Sequence, residues 1–217
     1  MANTNERSIA KLLLEVNAVT LKPDDPFRYT SGILSPIYTD NRVIISHPAA
    51  RKTVSKALEA LARGTYPKID VVAGTSTAGI PWAAWIAASL NVPMVYVRAK
   101  AKRHGQKSQI EGVLTPGSKT LVVEDLITTG GSALGTVQAI RKAGGEPLGV
   151  VAIFTYQMRK AVDAFREAGV SLSTLTNFPT LTETAEQLGQ LTSESKERVL
   201  EWAADPAGWA KKMGIES

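Results

Sequence analysis

The chain has 217 residues and 23.2 kDa, with 25 basic and 20 acidic side chains, a formal net charge of +5 and a pI near 9.4. With 44% hydrophobic and only 21% charged residues, it is excluded from the disordered class and can bury a sizeable core in one folded unit. It contains no cysteine, which excludes disulfide frameworks, thiolate metal sites and cysteine nucleophiles and fits a reducing, cytoplasmic setting.

The opening residues, Met1 to Lys11, are polar and lack the apolar centre of a signal peptide. Glu6 to Val16 follows with apolar side chains at Ile9, Leu12, Leu13 and Val16, the spacing of one helix face. Phe27 to Arg42 is rich in Ser, Gly, Pro, Tyr and Asp and predicts turns and short strands, a hood over one edge of a sheet. Ser46-His47-Pro48 then marks a helix start, with Pro48 early in the first turn and His47 given no catalytic role. The other histidine, His104, is too distant in sequence to pair with it as a metal-binding helix motif.

From Ile69 onward, short β-branched runs alternate with helical segments. The runs are Ile69 to Ala73, Val92 to Val97, Thr120 to Val123, Leu148 to Thr155 and Val170 to Leu175. Nearly continuous hydrophobicity is what a strand buried on both faces requires. Pro81 to Leu90, Leu134 to Ala143 and Arg159 to Ala168 are the intervening helices, so the class is α/β with a mostly parallel sheet. Trp82 and Trp85 share a helix face and are expected to pack against that sheet. The most apolar stretch, Ile80 to Leu90, is shorter than the roughly 20 residues that span a bilayer, so no membrane association is expected. After Asn177 come two or three more helical segments, with Trp202, Pro206 and Trp209 near the end.

The segment Leu121 to Ser132 carries the chemistry. A buried strand leads into adjacent acids, Glu124 and Asp125, then Leu126 and Ile127, then five small residues, Thr128, Thr129, Gly130, Gly131 and Ser132, and then a helix. Ligands of open α/β sheets bind at the carboxyl ends of strands, where a small-residue loop and a helix N-terminus offer N–H donors to a phosphate. Acids beside a phosphate site would repel the ligand unless they contact sugar hydroxyls or a bound cation. A phosphorylated sugar satisfies both demands. The alternative, a tight turn whose glycines only satisfy geometry and whose acids merely solvate a strand end, is the weaker reading for two acids followed by five small residues. Gly112 to Lys119 nearly matches a nucleotide P-loop, but its lysine is one position late and it enters a strand, so it is read as a turn.

Glu124-Asp-Leu-Ile-Thr-Thr-Gly-Gly-Ser132 resembles the phosphoribosyl pyrophosphate (PRPP) fingerprint of type I phosphoribosyltransferases, and two further segments resemble the orotate phosphoribosyltransferases in particular. Arg98-Ala-Lys-Ala-Lys-Arg-His-Gly-Gln-Lys107, with five Lys/Arg and no acid, is similar to that family's catalytic loop. A cationic segment of this kind suits a pyrophosphate leaving group. Tyr29-Thr-Ser-Gly-Ile-Leu-Ser-Pro-Ile-Tyr38-Thr-Asp-Asn-Arg42 resembles the family's Ser-Gly-x-x-Ser-Pro-x-Tyr segment, the hood over the pyrimidine. Ala73-Gly-Thr-Ser-Thr-Ala-Gly-Ile-Pro81 is similar to its pyrophosphate loop. Ala78, Ala99, Glu124 and Tyr156 depart from one branch of the family, which has lysines at the first two positions, an aspartate at the third and an orotate-contacting arginine at the fourth. Lys100 is a candidate compensating cation.

The resemblance implies a type I phosphoribosyltransferase fold in one domain, 1–217, with the hood inside 1–45 and a C-terminal helical segment at 178–217. The implied reaction joins orotate to PRPP, giving orotidine 5′-monophosphate and pyrophosphate in pyrimidine (UMP) synthesis. Lys102, His104 and Arg98 would be catalytic. PRPP would be bound by these three together with Glu124, Asp125, Leu126, Ile127, Thr128, Thr129, Gly130, Gly131 and Ser132. Orotate would meet Thr128, Lys22, Ser35 and Tyr38. Mg²⁺ would ride on PRPP with no dedicated protein ligand, and a homodimer would let the basic loop reach the neighbouring active site. The alternatives are a purine-type phosphoribosyltransferase and a PRPP-sensing regulator that binds nucleic acid through the basic loop. No helix-turn-helix extension, aromatic-rich strand or second basic face supports the regulator, so no nucleic-acid partner is expected.

Overall fold

The computed structural model describes residues 4–29, 31–99 and 109–215, so Lys100, Lys102 and His104 lie outside the described residues. The chain opens with helix α1 (Thr4–Glu15), whose Ile9, Ala10, Leu13 and Leu14 are buried. Four short strands follow, β1 (Val19–Leu21), β2 (Phe27–Arg28), β3 (Leu34–Ser35) and β4 (Ile37–Thr39), and then a 3₁₀ turn, Asn41–Ser46. β1 pairs antiparallel with β4, and β2 antiparallel with β3.

The main sheet is built from β5 (Val71–Thr75), β6 (Met94–Val97), β7 (Ile110–Glu111), β8 (Lys119–Ile127), β9 (Glu146–Thr155) and β10 (Leu172–Asn177). Its spatial order is β10-β9-β8-β5-β6-β7, parallel except for β7. The crossovers run through α3 (Gly79–Leu90), α4 (Gly131–Lys142) and α5 (Arg159–Glu167), while α2 (Pro48–Thr65) leads into β5. Alternation along each strand divides the core in two. Val72, Leu121, Val123, Val151 and Ile153 face one cluster with α1, α2 and α3, whereas Val71, Val122, Val150 and Ala152 face the cluster beneath α4 and α5. The expected α/β class and mostly parallel sheet are therefore what the chain forms.

Three features differ from the sequence expectation. β8 does not stop at Val123: it runs through both acids, because Leu126 and Ile127 still pair with Phe154 and Thr155 of β9. β7 is too short for a periodicity to show, yet it pairs Ile110 with Val97 and Glu111 with Tyr96. Trp82 is buried as expected, but Trp85 is only partly buried, with the Arg51 guanidinium of α2 over its ring at 5.4 Å. The near-match to a P-loop is a turn into β8, closed by the bond from the Ser118 N–H to the Thr115 carbonyl at 3.1 Å.

The C-terminal helices α6 (Phe178–Gln187), α7 (Ser193–Ala204) and α8 (Trp209–Lys212) brace the N-terminal strands. The Trp202 indole donates to the Leu34 carbonyl at 3.1 Å, and the Trp209 indole to the Arg198 carbonyl at 2.7 Å. Arg198 in turn reaches Asp24 at 2.8 Å and the Pro23 carbonyl at 3.2 Å. Trp202 sits among Tyr29, Tyr156 and Phe178, with ring centroids 6.2, 5.5 and 6.4 Å away.

α3 crosses β8 so closely that a Cβ on Gly79 would lie 2.5 Å from the Val123 carbonyl oxygen. Gly79→Ala should therefore lose about 1–3 kcal/mol of stability in urea denaturation. Gly135→Ala, in α4 with open space around it, should gain about 0.5–1 kcal/mol.

Candidate active site

Three loops meet at the carboxyl ends of the central strands. The first, Ser76 to Ala78, links β5 to α3, and no side chain caps that helix. The second holds Arg98, just beyond β6. Its backbone N–H donates to the Gln109 carbonyl at 2.9 Å, and the Gln109 amide donates back to the Arg98 carbonyl at 3.2 Å. Its guanidinium lies 3.5 Å from Glu111 of β7. The third is Thr128 to Gly130, which enters α4 with Gly130 at φ +81° and no capping side chain. Phe165 stands where a Cβ on Gly130 would go, so both backbone and packing require glycine there. The first-turn N–H groups of α4 are thus left to an incoming anion.

A cavity of about 130 Å³ joins these parts, lined by Thr75, Ser76, Arg98, Gly131, Ser132 and Thr136 among others. The hydroxyl of Thr75 is buried and has no partner. Larger hollows lie elsewhere. One of about 410 Å³ is lined by Tyr66 to Asp70, Leu90 and Val92, at the amino ends of β5 and β6, the wrong edge of the sheet for a ligand of this architecture.

Beside the cavity, β8 presents its two acids. Glu124 is only 5% exposed; its carboxylate accepts from the Ser132 hydroxyl at 2.9 Å and from the Asp125 N–H at 3.1 Å. Burial, reinforced by the negative charge of Asp125, pushes the Glu124 carboxyl up to about 8. Burial raises Asp125 as well, partly offset by its hydrogen bonds to Glu124 and to backbone and by the charge of Arg42.

The N-terminal strands carry the remaining candidates. The Lys22 ammonium lies 5.3 Å from the Phe27 ring centroid and 3.3 Å from Asp25, and the Phe27 ring is 5.5 Å from that of the exposed Tyr38. Lys22 and Tyr38 thus flank one aromatic ring. Ser35 points inward: its hydroxyl donates to the Ile37 carbonyl at 2.7 Å and accepts from the Ile37 N–H at 3.3 Å, closing the turn between β3 and β4. Tyr156, at the position where the resemblance gives an arginine, is buried and donates to the Thr39 hydroxyl at 2.9 Å. Burial raises its phenol far above the usual range, so it stays neutral.

Residues 41–175 match the family model for the phosphoribosyl transferase domain. The orotate phosphoribosyltransferase of Listeria monocytogenes serotype 4b (strain F2365) is 48% identical over 206 residues, covering 95% of this chain and 99% of that protein. The chain belongs to the orotate phosphoribosyltransferase family. The corresponding protein of Coxiella burnetii (strain RSA 493 / Nine Mile phase I) is 50% identical over 201 residues, covering 93% of this chain and 96% of that one. Among solved structures, orotate phosphoribosyltransferase from Aeropyrum pernix superposes with a TM-score of 0.73 at 28% identity, over 84% of this chain and 99% of that chain. Members of this family are phosphoribosyl transferases, and the type I fold expected from the sequence is the fold found.

Some residues around this family site escaped the sequence reading. Gln109, just before β7, and Glu111, in β7, fix Arg98, and the signal was available: Glu111 is the first acid after the five cations of the basic run. Asn41 gave none, because a buried amide inside a polar turn looks like any other turn residue.

The carboxylate pair sets a pH dependence. Both acids hold protons more tightly folded than unfolded, so raising the pH from the ordinary glutamate value of 4.5 towards about 8 strips protons from the unfolded chain first. The ligand-free protein should lose stability across that window and level off above it. Glu124→Gln, neutral throughout, should flatten the fall. Thermal unfolding followed by circular dichroism at several pH values checks this; a Tm difference from the parent that stays constant with pH would contradict it.

Proposed function

We propose that this chain transfers the phosphoribosyl group of PRPP to orotate, giving orotidine 5′-monophosphate and pyrophosphate, as one phosphoribosyltransferase domain working in the cytoplasm as a homodimer. The observation that carries the reading is the convergence of the uncapped α4 N-terminus, the Ser76 to Ala78 loop and Arg98 on one cavity beside two buried acids. No helix among the described residues is long and apolar enough to cross a membrane.

The ring nitrogen N1 of orotate forms a bond to the anomeric carbon as the bond from that carbon to the pyrophosphate oxygen breaks and its electron pair leaves with pyrophosphate. The N1 proton passes to the departing pyrophosphate or to solvent, and the ribose passes through an oxocarbenium-like state. The chain's work is to position and to offset charge. Thr128 to Ser132 take the 5-phosphate through backbone N–H groups and hydroxyls, with Leu126 and Ile127 carrying the strand into that loop. Glu124 and Asp125 accept from the ribose hydroxyls. Arg98, Lys102 and His104 meet the pyrophosphate, the last two from the neighbouring subunit. Tyr38, Lys22 and Thr128 face the pyrimidine, and Ser35 keeps their turn in shape. Since Tyr156 is buried and neutral, the orotate carboxylate falls to cations of the N-terminal segment and to Lys100.

Magnesium fits as a companion of the substrate. Among the described residues no group of three or more His, Cys, Asp or Glu could cage a metal ion, and beside the cavity Glu124 and Asp125 stand as a pair. Bound to PRPP, Mg²⁺ would screen the pyrophosphate charge while the protein grips the complex from outside.

Orotate-dependent release of pyrophosphate from Mg·PRPP is the direct test. Turnover of a purine base without formation of orotidine monophosphate would leave only the PRPP half of the reading. Gly131 has open space around it, so Gly131→Ala should fold as the parent while raising the KM for PRPP about tenfold, the equivalent of ~1.4 kcal/mol. Lys102→Ala should lower kcat by about 10²–10³ with little change in Tm. Mixing it with a Glu124→Gln/Asp125→Asn variant should restore part of the activity if the loop acts across a dimer; no restoration would place it in its own subunit.

A further inference from the structure

Three consecutive residues, Asp40 and the first two of the 3₁₀ turn, Asn41 and Arg42, have no role of their own above. Asn41 is 0% exposed, and its side-chain Nδ2 donates at 2.8 Å to the backbone carbonyl of Asp125, 84 residues further along. A carbonyl can only accept, so this bond fixes which end of the amide faces β8. The opposite end, Oδ1, is buried without a partner. A side chain that tolerates an orphaned oxygen to keep one bond is held there by that bond.

Arg42 is oriented just as firmly, although its side chain is 65% exposed. Asp40 takes its Nε at 2.6 Å and its Nη2 at 2.8 Å, the two-pronged geometry that locks a guanidinium plane. Asp40 also accepts the Arg42 backbone N–H at 3.1 Å, capping the 3₁₀ turn. Behind them, Thr39 receives the Tyr156 hydroxyl at 2.9 Å. The turn is therefore fixed to the sheet on both sides before any ligand arrives, and the positive charge of Arg42 is felt at Asp125 and Tyr38.

We propose that Asn41 and Arg42 are positioning residues for Asp125: Asn41 sets its backbone, Arg42, gripped by Asp40, holds the turn that carries Asn41, and PRPP binding therefore depends on this N-terminal segment. The proposal rests on the reading that Glu124 and Asp125 hold the ribose hydroxyls.

The test uses the full-length protein, with KM for PRPP, KM for orotate, kcat and Tm measured for Asn41→Ala, Arg42→Gln, Arg42→Lys and Asp125→Asn. Asn41→Ala and Arg42→Gln should raise the KM for PRPP about tenfold while moving that for orotate less than about threefold, and Arg42→Lys should recover part of the loss. A purely architectural role would lower Tm and leave the ratio of the two KM values unchanged, and that result would overturn the proposal. Should Asn41→Ala fail to fold, Arg42→Gln decides alone, since its side chain lies at the surface. If Asp125→Asn leaves the KM for PRPP unchanged, the ribose reading itself fails. If it raises the KM while the turn variants do not, only the role of Asn41 and Arg42 is lost.

Discussion

Two consecutive acids in a central strand, Glu124 buried and Asp125 half-buried, are the constraint around which this molecule is arranged. β8 lies between β5 and β9, and its hydrogen bonds to β9 continue past Glu124 and Asp125. A strand that ended at the acids would have let them swing into water. Because it continues, Glu124 stays desolvated and Asp125 half-buried, and the surrounding parts hold them in place: the Ser132 hydroxyl and the Asp125 N–H on the Glu124 carboxylate, and Asn41 on the Asp125 backbone carbonyl. Desolvation is costly for a carboxylate in a resting protein and useful for one that must grip a hydroxyl in competition with solvent.

The same constraint explains the division of labour along the carboxyl edge of the sheet. Anion-binding parts, the uncapped helix starts and Arg98, are kept to the cavity side, where phosphates can be received by backbone N–H groups and a guanidinium. Aromatic parts, Phe27, Tyr29 and Tyr38, are kept to the N-terminal strands. The acids stand at the join. A ligand with phosphates at two positions and hydroxyls between them fits this sequence of environments.

Much of this was legible in the residues. Continuous apolar runs located the buried strands, and the small-residue loop after the paired acids located the α4 start, because both signals depend on local chain geometry. What escaped depends on tertiary pairing. β7 has only two residues, and its identity as a strand comes from lying against Tyr96 and Val97. The length of β8 is set by β9, so acids that look like a strand end are carried inside it. Tyr156 reads as a ligand position from its place in the chain, yet the aromatic group of Phe154, Phe178 and Trp202 draws its ring inward and leaves its hydroxyl for Thr39. Asn41 is buried by a strand 84 residues away, a fact no local pattern encodes.

The tryptophans near the end of the chain carry one more consequence. Trp202 holds the Leu34 carbonyl, and Arg198, itself fixed by Trp209, holds the loop at Pro23 and Asp24. The N-terminal strands are therefore encoded twice, in their own residues and in those of α7 and α8. Grafting the first forty or so residues of a relative onto this chain would transplant those strands without their scaffold. A working chimera has to exchange head and tail together, and natural drift in one extremity restricts the sequences acceptable in the other.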